Sequence, residues 1–275
     1  MANLLDFPDG GYRFIRGVFP YSAGVVATQG MAIERLRFRR LKPMAEGFAA
    51  IAAHLGRLGR PLTALCGCEL RSPAQFSDEG FATFNAQYVE TLTQWKLFRD
   101  GINPVARSNL APAVQPPAEP GFHAFSYTVS APPAEPSFVV AGCGEVPEGQ
   151  SNYRDHIVAK GDVTAAGLLR KARWVLAEQE RRLTVLGFGW RDVTATQVYT
   201  VHDIHTFLAS ELVARGADAG GITWHYVRPP IVDLDYEMDC RGVASEHVAL
   251  SLPPSSPTNL RWQVRIAACC MSTAS

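Results

Sequence analysis

An alternating run of acidic and apolar residues is the segment of this sequence most suited to chemistry. In VDLDYEMD, residues 232–239, carboxylates stand at every second position, as Asp233, Asp235, Glu237 and Asp239. Because successive side chains of a β-strand point to opposite faces, a strand here would place all four carboxylates on one face. Like charges repel, so a carboxyl group facing a cleft would tend to keep its proton and act as an acid or base. We choose Glu237 for that role; the alternative is a polar strand face that only meets water.

Arg107 is the second candidate for a functional group. It follows a proline and opens a strand-like run in NPVARSN. A guanidinium at such a place can bind a carboxylate through two parallel hydrogen bonds. The local sequence alone leaves open a surface arginine that pairs with a nearby acid.

A metal-dependent reaction is a further hypothesis. His202 and His205 of HDIH, with His225 and an acid from residues 233–239, would complete a ligand set. Three-residue spacing of histidines at a helix start is common by chance, so we expect no metal site. The six cysteines also lack the paired spacing of a zinc ribbon or disulfide framework and are predicted to be reduced thiols. No Gly-rich phosphate loop, nucleophile elbow or dinucleotide fingerprint is present, and we expect no cofactor.

Composition limits the class of partner. The 275 residues are 47% apolar, and 26 basic residues balance 26 acidic residues. No long-range field therefore favours nucleic acid or an anionic membrane, and a small neutral or anionic ligand is expected. The first twenty residues contain Asp6, Pro8 and two glycines where a secretory signal would be apolar, and no apolar run reaches about eighteen residues. We expect a soluble, cytoplasmic protein.

The chain reads as two halves with one order of elements. The first half predicts a helix over 44–58, a strand over 62–70 and a helix over 81–98. The second half predicts a strand over 137–144, a helix over 165–186, a strand over 193–201 and a helix over 202–216, then a strand pair. The strands at 62–70 and 193–201 share a Thr-Ala pair.

This order indicates an α+β fold made of two copies of a module of about 120 residues. The Pro-rich stretches 111–121 and 131–136 lie around the expected boundary. We therefore expect modules at 1–131 and 132–250, and a loosely held tail at 251–275.

Four short motifs resemble those of the RidA family, the YjgF-like imine deaminases. They are FPYS (19–22), VARS (105–108), CGEVP (143–147), and the RPP segment that runs into the acidic residues 233–237. The resemblance implies tandem RidA-like modules, each a mixed sheet with two helices on one face. It also implies a homo-oligomer, such as a trimer of tandem chains, with ligand sites between neighbouring subunits.

The resemblance assigns roles to particular residues. In the family an arginine binds the substrate carboxylate and a glutamate after a later proline helps to activate water. Arg107 and Glu237 match these two, while Tyr21, Cys143 and Glu145 stand at motif positions expected to contact substrate. Counting back from Pro229 places Gly220 where the second half would need its arginine, and the first half has no matching acid after Pro116. Each half thus keeps one member of the pair, which indicates a site composed from both halves or a decayed one.

The predicted function is cofactor-independent hydrolytic deamination of an imine or enamine carboxylic acid. Tandem relatives in aromatic-degradation pathways resemble deaminases of 2-aminomuconate-type diacids, which makes such a diacid the expected substrate, with ammonia and a 2-oxo acid as products. The alternative is a non-catalytic carboxylate-binding or regulatory protein.

Overall fold

Two mixed β-sheets and a small number of helices form the protein. The computed structural model describes residues 4–133, 135–150 and 152–249. The predicted tail at 251–275 lies outside the described residues. The mixed α+β class predicted from the sequence is confirmed. Within the described ranges, no helix is both long and apolar enough to cross a membrane.

The elements of the first half follow one another in a simple order. They are β1 (Leu4–Phe7), β2 (Tyr12–Ile15), β3 (Gly24–Ala27), β4 (Met31–Pro43), α1 (Met44–Arg57), β5 (Leu65–Arg71), α2 (Asp78–Gln94), β6 (Ala106–Pro112) and β7 (Gly121–Ser130).

The second half begins at β8. Its elements are β8 (Phe138–Gly144), α3 (Ala165–Leu186), β9 (Ala195–Tyr199), α4 (His205–Phe207), β10 (Ile222–His225), β11 (Val227–Arg228), β12 (Glu237–Gly242) and β13 (Ser245–Ala249).

The two sheets contain the same four-strand arrangement. In one sheet the order β4-β7-β5-β6 has two antiparallel pairs followed by a parallel pair. In the other, β8-β12-β9-β10 repeats that order and those directions. Each half of the chain therefore builds one such arrangement with its own helices.

Some strands of each half join the sheet of the other half. β1, β2 and β3 extend the sheet of the second half through the β3–β8 pair. β11 and β13 extend the sheet of the first half through β6 and β4. A boundary at 131/132 consequently does not separate the two sheets, and each sheet needs residues from both halves.

Helix packing follows the apolar spacing of the sequence. α1 buries Phe48, Ile51 and Leu55, which recur at three- and four-residue intervals. Thr164 caps the N-terminus of α3, because its hydroxyl accepts the N–H of Gly167 at 3.2 Å. Gly187, in the left-handed region, caps its C-terminus. α1 and α2 cover the first sheet, whereas α3 covers the second.

Two predicted elements differ from the structure. The helix expected over 202–216 is a short α4 followed by a π turn at Leu208–Leu212 and a 3₁₀ turn at Val213–Arg215. Phe207 and Leu212, five residues apart, are both buried, and the π turn brings both onto the inner face.

The acidic strand is also shorter than predicted. β12 begins only at Glu237, and Asp233 has φ +74° in a turn. Asp233 pairs with Lys160 at 3.2 Å and Asp235 with Lys171 at 3.0 Å. These cations hold the first two carboxylates outside the strand, so the four acids do not share one face.

Candidate active site

A cavity lies at the open edge of β6, between the two halves of the chain. Ser22 bridges to Ala106, and β11 pairs with Ala111 and Pro112. Between these contacts, β6 faces the end of β8 and the start of β12. Four of the predicted site residues line this cavity, namely Tyr21, Arg107, Cys143 and Glu237. The first two come from the first half of the chain and the other two from the second.

Arg107 is a buried cation with an unused donor. Its Nη2 donates to Asn85 Oδ1 at 2.8 Å, and its guanidinium carbon lies 4.9 Å from the Tyr88 ring and 5.0 Å from the Tyr21 ring. Nη1 is buried and has no hydrogen-bond partner among the described residues. Burial lowers the pKa of Arg107, because desolvation disfavours the charged form. An anion in the cavity would satisfy both the charge and the free N–H.

Glu237 is a buried carboxyl group. Only 4% of the residue is exposed, and no cation lies in ion-pair contact with it in the described part of the chain. Burial raises the pKa of Glu237 well above its usual range, and the nearby Asp239 and Glu145 carboxyl groups add to that rise. This rise favours the protonated carboxyl group over the carboxylate.

Gly142 on β8 makes the space for that carboxyl group. A Cβ at Gly142 would overlap Glu237 Oε1 and would lie 3.0 Å from the Cβ of Ser108 on β6. A glycine at this position lets β8 approach β6 closely and leaves room for Glu237 to reach the cavity.

Cys143 lines the cavity with its thiol turned away. Its Sγ donates to Val175 O at 3.9 Å and accepts from Gln179 Nε2 at 3.2 Å, both on α3. Burial raises the pKa of Cys143 to about 12, so the thiolate is disfavoured. Cys143 contributes shape to the site and not a nucleophile.

Glu145 lies outside the cavity lining, contrary to the prediction that it contacts substrate. It is fully buried, pairs with Lys171 Nζ at 3.1 Å, and accepts the N–H groups of Asp235 at 2.6 Å and Tyr236 at 3.1 Å. Both carboxylate oxygen atoms of Glu145 are therefore bound to these partners outside the cavity. Glu145 therefore fixes the chain that leads into β12 and places Glu237.

Several residues of the cavity were not predicted from the sequence. The lining also contains Phe81, Ser108, Asn109, Gly142, Gly144, Val146, Glu148, Tyr153, Pro230, Ile231 and Leu234. Glu148 pairs with Arg182 Nη2 of α3 at 3.0 Å. No local pattern marks Glu148, because it lies in an irregular segment and its partner is distant in the sequence.

The histidines of the metal hypothesis have separate partners. His202 Nε2 is 3.2 Å from Asp235, His205 Nδ1 is 2.6 Å from the exposed Asp203, and His225 Nε2 is 2.8 Å from Gln197 Oε1. The described ranges contain no group of three metal-binding side chains in ligand geometry.

Sheet register identifies the second half's counterpart of Arg107. Counting four residues from each shared Thr-Ala pair gives Cys68 on β5 and Tyr199 on β9. Cys68 pairs with Arg107 in the parallel β5–β6 ladder, and Tyr199 pairs with His225 in the parallel β9–β10 ladder. His225, and not Gly220, therefore occupies the position that corresponds to Arg107.

The same register identifies the first half's counterpart of Glu237. Glu237 pairs with Tyr199, and Phe125 pairs with Cys68. At these corresponding positions the first half has Arg107 and Phe125, and the second half has His225 and Glu237. The arginine and the acid line a single cavity to which each half contributes one.

The sequence was compared with protein families and with known proteins. Residues 4–247 match the family model described as 2-aminomuconate deaminase CnbZ. The chain is 48% identical over 250 residues to a 2-amino-5-chloromuconate deaminase of Comamonas testosteroni, which covers 90% of this chain and 100% of that protein.

Two solved structures show weaker similarity. The YjgF gene product from E. coli is 16% identical with a TM-score of 0.27, over 39% of this chain and 80% of that chain. A chorismatase is 16% identical with a TM-score of 0.42, over 85% of this chain and 77% of that chain.

A family model that spans nearly all the described residues fixes the class. The chain belongs to the 2-aminomuconate deaminase CnbZ family. This confirms the 2-aminomuconate-type deaminase group to which the sequence motifs pointed.

Proposed function

We propose that the protein is a cofactor-independent hydrolytic deaminase of an imine or enamine carboxylic acid, with 2-aminomuconate-type diacids as substrates. The observation that carries the proposal is the presence of Arg107 and Glu237 on one cavity, the first with a free N–H and the second with a raised pKa. The family and the name of the relative at 48% identity support it.

Arg107 binds a carboxylate of the substrate. Its free Nη1 supplies the new hydrogen bond, and the aromatic faces around the guanidinium keep it from turning toward another partner. Tyr21, stacked on the same guanidinium, lies along the bound acid. Phe81, Val146 and Ile231 give the cavity an apolar wall suited to an unsaturated carbon chain.

Glu237 acts at the reacting carbon. Its carboxyl group retains a proton and can donate it to the imine nitrogen, while its other oxygen orients the attacking water. An enamine first becomes the imine by moving a proton from nitrogen to carbon. Water then adds to the C=N bond, the C–N bond breaks, and ammonia and a 2-oxo acid leave. General acid or base assistance of this kind commonly contributes about 10²- to 10⁴-fold to a rate.

The domain organisation is part of the same proposal. The repeated strand order β4-β7-β5-β6 and β8-β12-β9-β10 supports two tandem RidA-like modules that have exchanged terminal strands. Homo-oligomers, such as a trimer of tandem chains, and a cytoplasmic location stay predictions. The native mass of the purified protein tests the first of these.

Ammonia release tests the proposed reaction. Metal-free protein is incubated with enzymatically generated 2-imino acids and with 2-aminomuconate-type diacids. The parent is expected to release ammonia, Arg107→Ala to lose substrate binding, and Glu237→Gln to bind substrate but turn it over about 10²-fold or more slowly.

Asp239→Asn is the matched control for Glu237→Gln. Asp239 is the other buried acid of β12 and is absent from the cavity lining. Its carboxyl group accepts hydrogen bonds from Tyr199 Oη at 2.8 Å and Gln197 Nε2 at 3.0 Å. Because Asp239 contributes to the raised pKa of Glu237, Asp239→Asn is expected to lose some activity but less than Glu237→Gln. If the parent releases no ammonia from any of these acids but binds them through Arg107, the protein is a carboxylate-binding protein and not a deaminase.

A further inference from the structure

We propose that Glu148 is a second catalytic group of this site, acting as the general base that takes the proton of the attacking water. The inference rests on the proposed deaminase function and adds a residue to it. Glu148 lies in the segment that follows β8 and lines the same cavity as Arg107 and Glu237.

A buried arginine holds Glu148 in place. Arg182 is fully buried on α3, and its Nη2 lies 3.0 Å from Glu148 Oε1. The rest of this guanidinium is fixed by Glu178 Oε1 at 2.7 Å from Nε and by Ala141 O at 3.2 Å from Nη1. Glu148 is therefore a carboxylate held beside a fixed cation by charge attraction and not by a hydrogen bond, with 21% of its side chain still exposed.

The two carboxyl groups of the cavity have opposite surroundings. Glu148 has a cation in contact, whereas Glu237 has none in the described part of the chain and is packed near Asp239. Burial without a charged partner favours the protonated form of Glu237, which leaves Glu148 as the carboxyl group of the cavity with a cation beside it. Two carboxyl groups separated in this way can act as a base and an acid in one step.

Two phenol groups, those of Tyr21 and Tyr153, line the same cavity as Glu148. Burial raises the pKa of Tyr21 and of Tyr153, and the charge of Glu148 raises both further. Both phenols are therefore neutral at neutral pH and are available as hydrogen-bond donors beside the carboxylate. They can hold a water molecule or the substrate against Glu148 without competing for its proton.

The hydration step balances with these two groups. The water oxygen bonds to the imine carbon, the C=N π electrons move to nitrogen, nitrogen takes the proton of Glu237, and Glu148 takes a proton from water. The carbinolamine has then formed, with Glu237 ionised and Glu148 protonated.

The elimination step restores both groups. The C–N bond breaks with its electron pair moving to nitrogen, which takes the proton of Glu148, while Glu237 takes the hydroxyl proton as C=O forms. Ammonia leaves, and the enzyme returns to its starting protonation state without any other reactant.

Substitution with a rescue assay tests this role. Glu148→Gln is expected to lower kcat about 10²-fold or more with little change in KM, because the base acts on water and not on substrate binding. Glu148→Ala is expected to lose activity similarly and to regain at least part of it when formate is added, since a small carboxylate can enter the space left by the side chain. Formate can also restore the ion pair with Arg182, so rescue supports the base role only when Glu148→Gln keeps the KM and the unfolding temperature of the parent.

Glu178→Gln and Glu178→Ala are the matched controls. Glu178 contacts the same Arg182 from within α3 but is absent from the cavity lining. Both controls are expected to lose less kcat than the Glu148 variants, because Ala141 and Glu148 still contact Arg182, and to show no response to formate. Thermal unfolding of each variant checks that the fold is intact.

The outcomes separate this inference from the proposed function. Ammonia release by the parent together with loss and formate rescue in the Glu148 variants supports it. Release that is unchanged in Glu148→Gln, or lost in Glu148→Ala without rescue, overturns the base role while leaving the deaminase assignment intact. No release by the parent itself overturns both.

Discussion

At the scale of single residues, the candidate site contains a carboxyl group that no cation in the described part of the chain neutralises. Glu237 is buried beside Asp239 with no cation in contact among the described residues, which raises its pKa. A group whose pKa is higher in the folded than in the unfolded protein binds its proton more tightly in the folded state. Folding stability therefore falls as pH rises above the unfolded pKa of about 4.3, until the folded pKa is passed.

Glu237→Gln should consequently stabilise the protein while slowing turnover about 10²-fold or more. Near pH 4 the free energy of unfolding of the variant is expected to exceed that of the parent only slightly. The difference is expected to grow by up to about 1.4 kcal/mol for each pH unit above that. Urea unfolding of both proteins between pH 4 and pH 8 measures this. A variant that is less stable than the parent at every pH would show that the glutamate makes favourable contacts that burial does not reveal.

Gly142 is expected to be essential for activity because no Cβ fits beside Glu237 Oε1. Gly142→Ala should push the carboxyl group out of position and reduce kcat about 10²-fold, with a folded protein by circular dichroism. Gly56→Ala is the control, because a Cβ there meets nothing within 4 Å and the residue lies inside α1. That control should leave activity unchanged and gain about 0.5–1 kcal/mol of stability; equal activity in both variants would refute the steric argument.

At the scale of elements, the position of β12 depends on a buried ion network. Lys171 on α3 is fully buried and contacts Glu145 and Asp235, and Glu145 in turn accepts the N–H groups just before β12. Burial raises the pKa of Glu145, and the charge of Lys171 opposes that rise. The network ties α3, the end of β8 and the start of β12 together.

Removing the cation alone should be more harmful than removing both partners. Lys171→Met leaves Glu145 and Asp235 without their cation and is expected to cost about 3–5 kcal/mol of folding stability. Lys171→Met with Glu145→Gln should recover part of that loss, because the uncompensated charge is gone. Denaturant unfolding of the two variants gives the comparison; a double variant less stable than Lys171→Met would contradict the network.

Elements with their own strong periodicity were predictable from the sequence, and elements set by distant partners were not. The predicted helix 165–186 coincides with α3, because its apolar spacing and its capping residues are all local. The helix expected over 202–216 is interrupted, since packing of Phe207 and Leu212 overrides local preference. The acidic alternation was likewise broken by Lys160 and Lys171, which lie more than sixty residues away.

At the scale of the whole molecule, the site exists because two similar halves face each other. Arg107 and Glu237 were identified from motifs, but their common cavity follows from the contact between β6 and β8, which no local pattern encodes. Gly220 was misplaced as the counterpart of Arg107, because counting along the chain missed the register that sets His225 against Tyr199. Glu148 was missed because its partner Arg182 is on another element.

A mixing experiment tests whether one chain holds a complete site. Arg107 and Glu237 of the same chain line the cavity, so Arg107→Ala and Glu237→Gln proteins that are unfolded and refolded together should stay inactive. Refolding the parent with either variant should give activity in proportion to the parent present. Recovery of activity in the mixture of the two variants would mean that the working site forms between chains.

The central claim is that Arg107 from the first half and Glu237 from the second act on one bound substrate. A double-mutant cycle on kcat/KM for ammonia release from a 2-aminomuconate-type diacid measures this most directly. Groups that act together are strongly non-additive, so the double variant should lose little more than the worse of the two single variants. Losses that multiply would mean that the two residues act independently, and would contradict a single composite site.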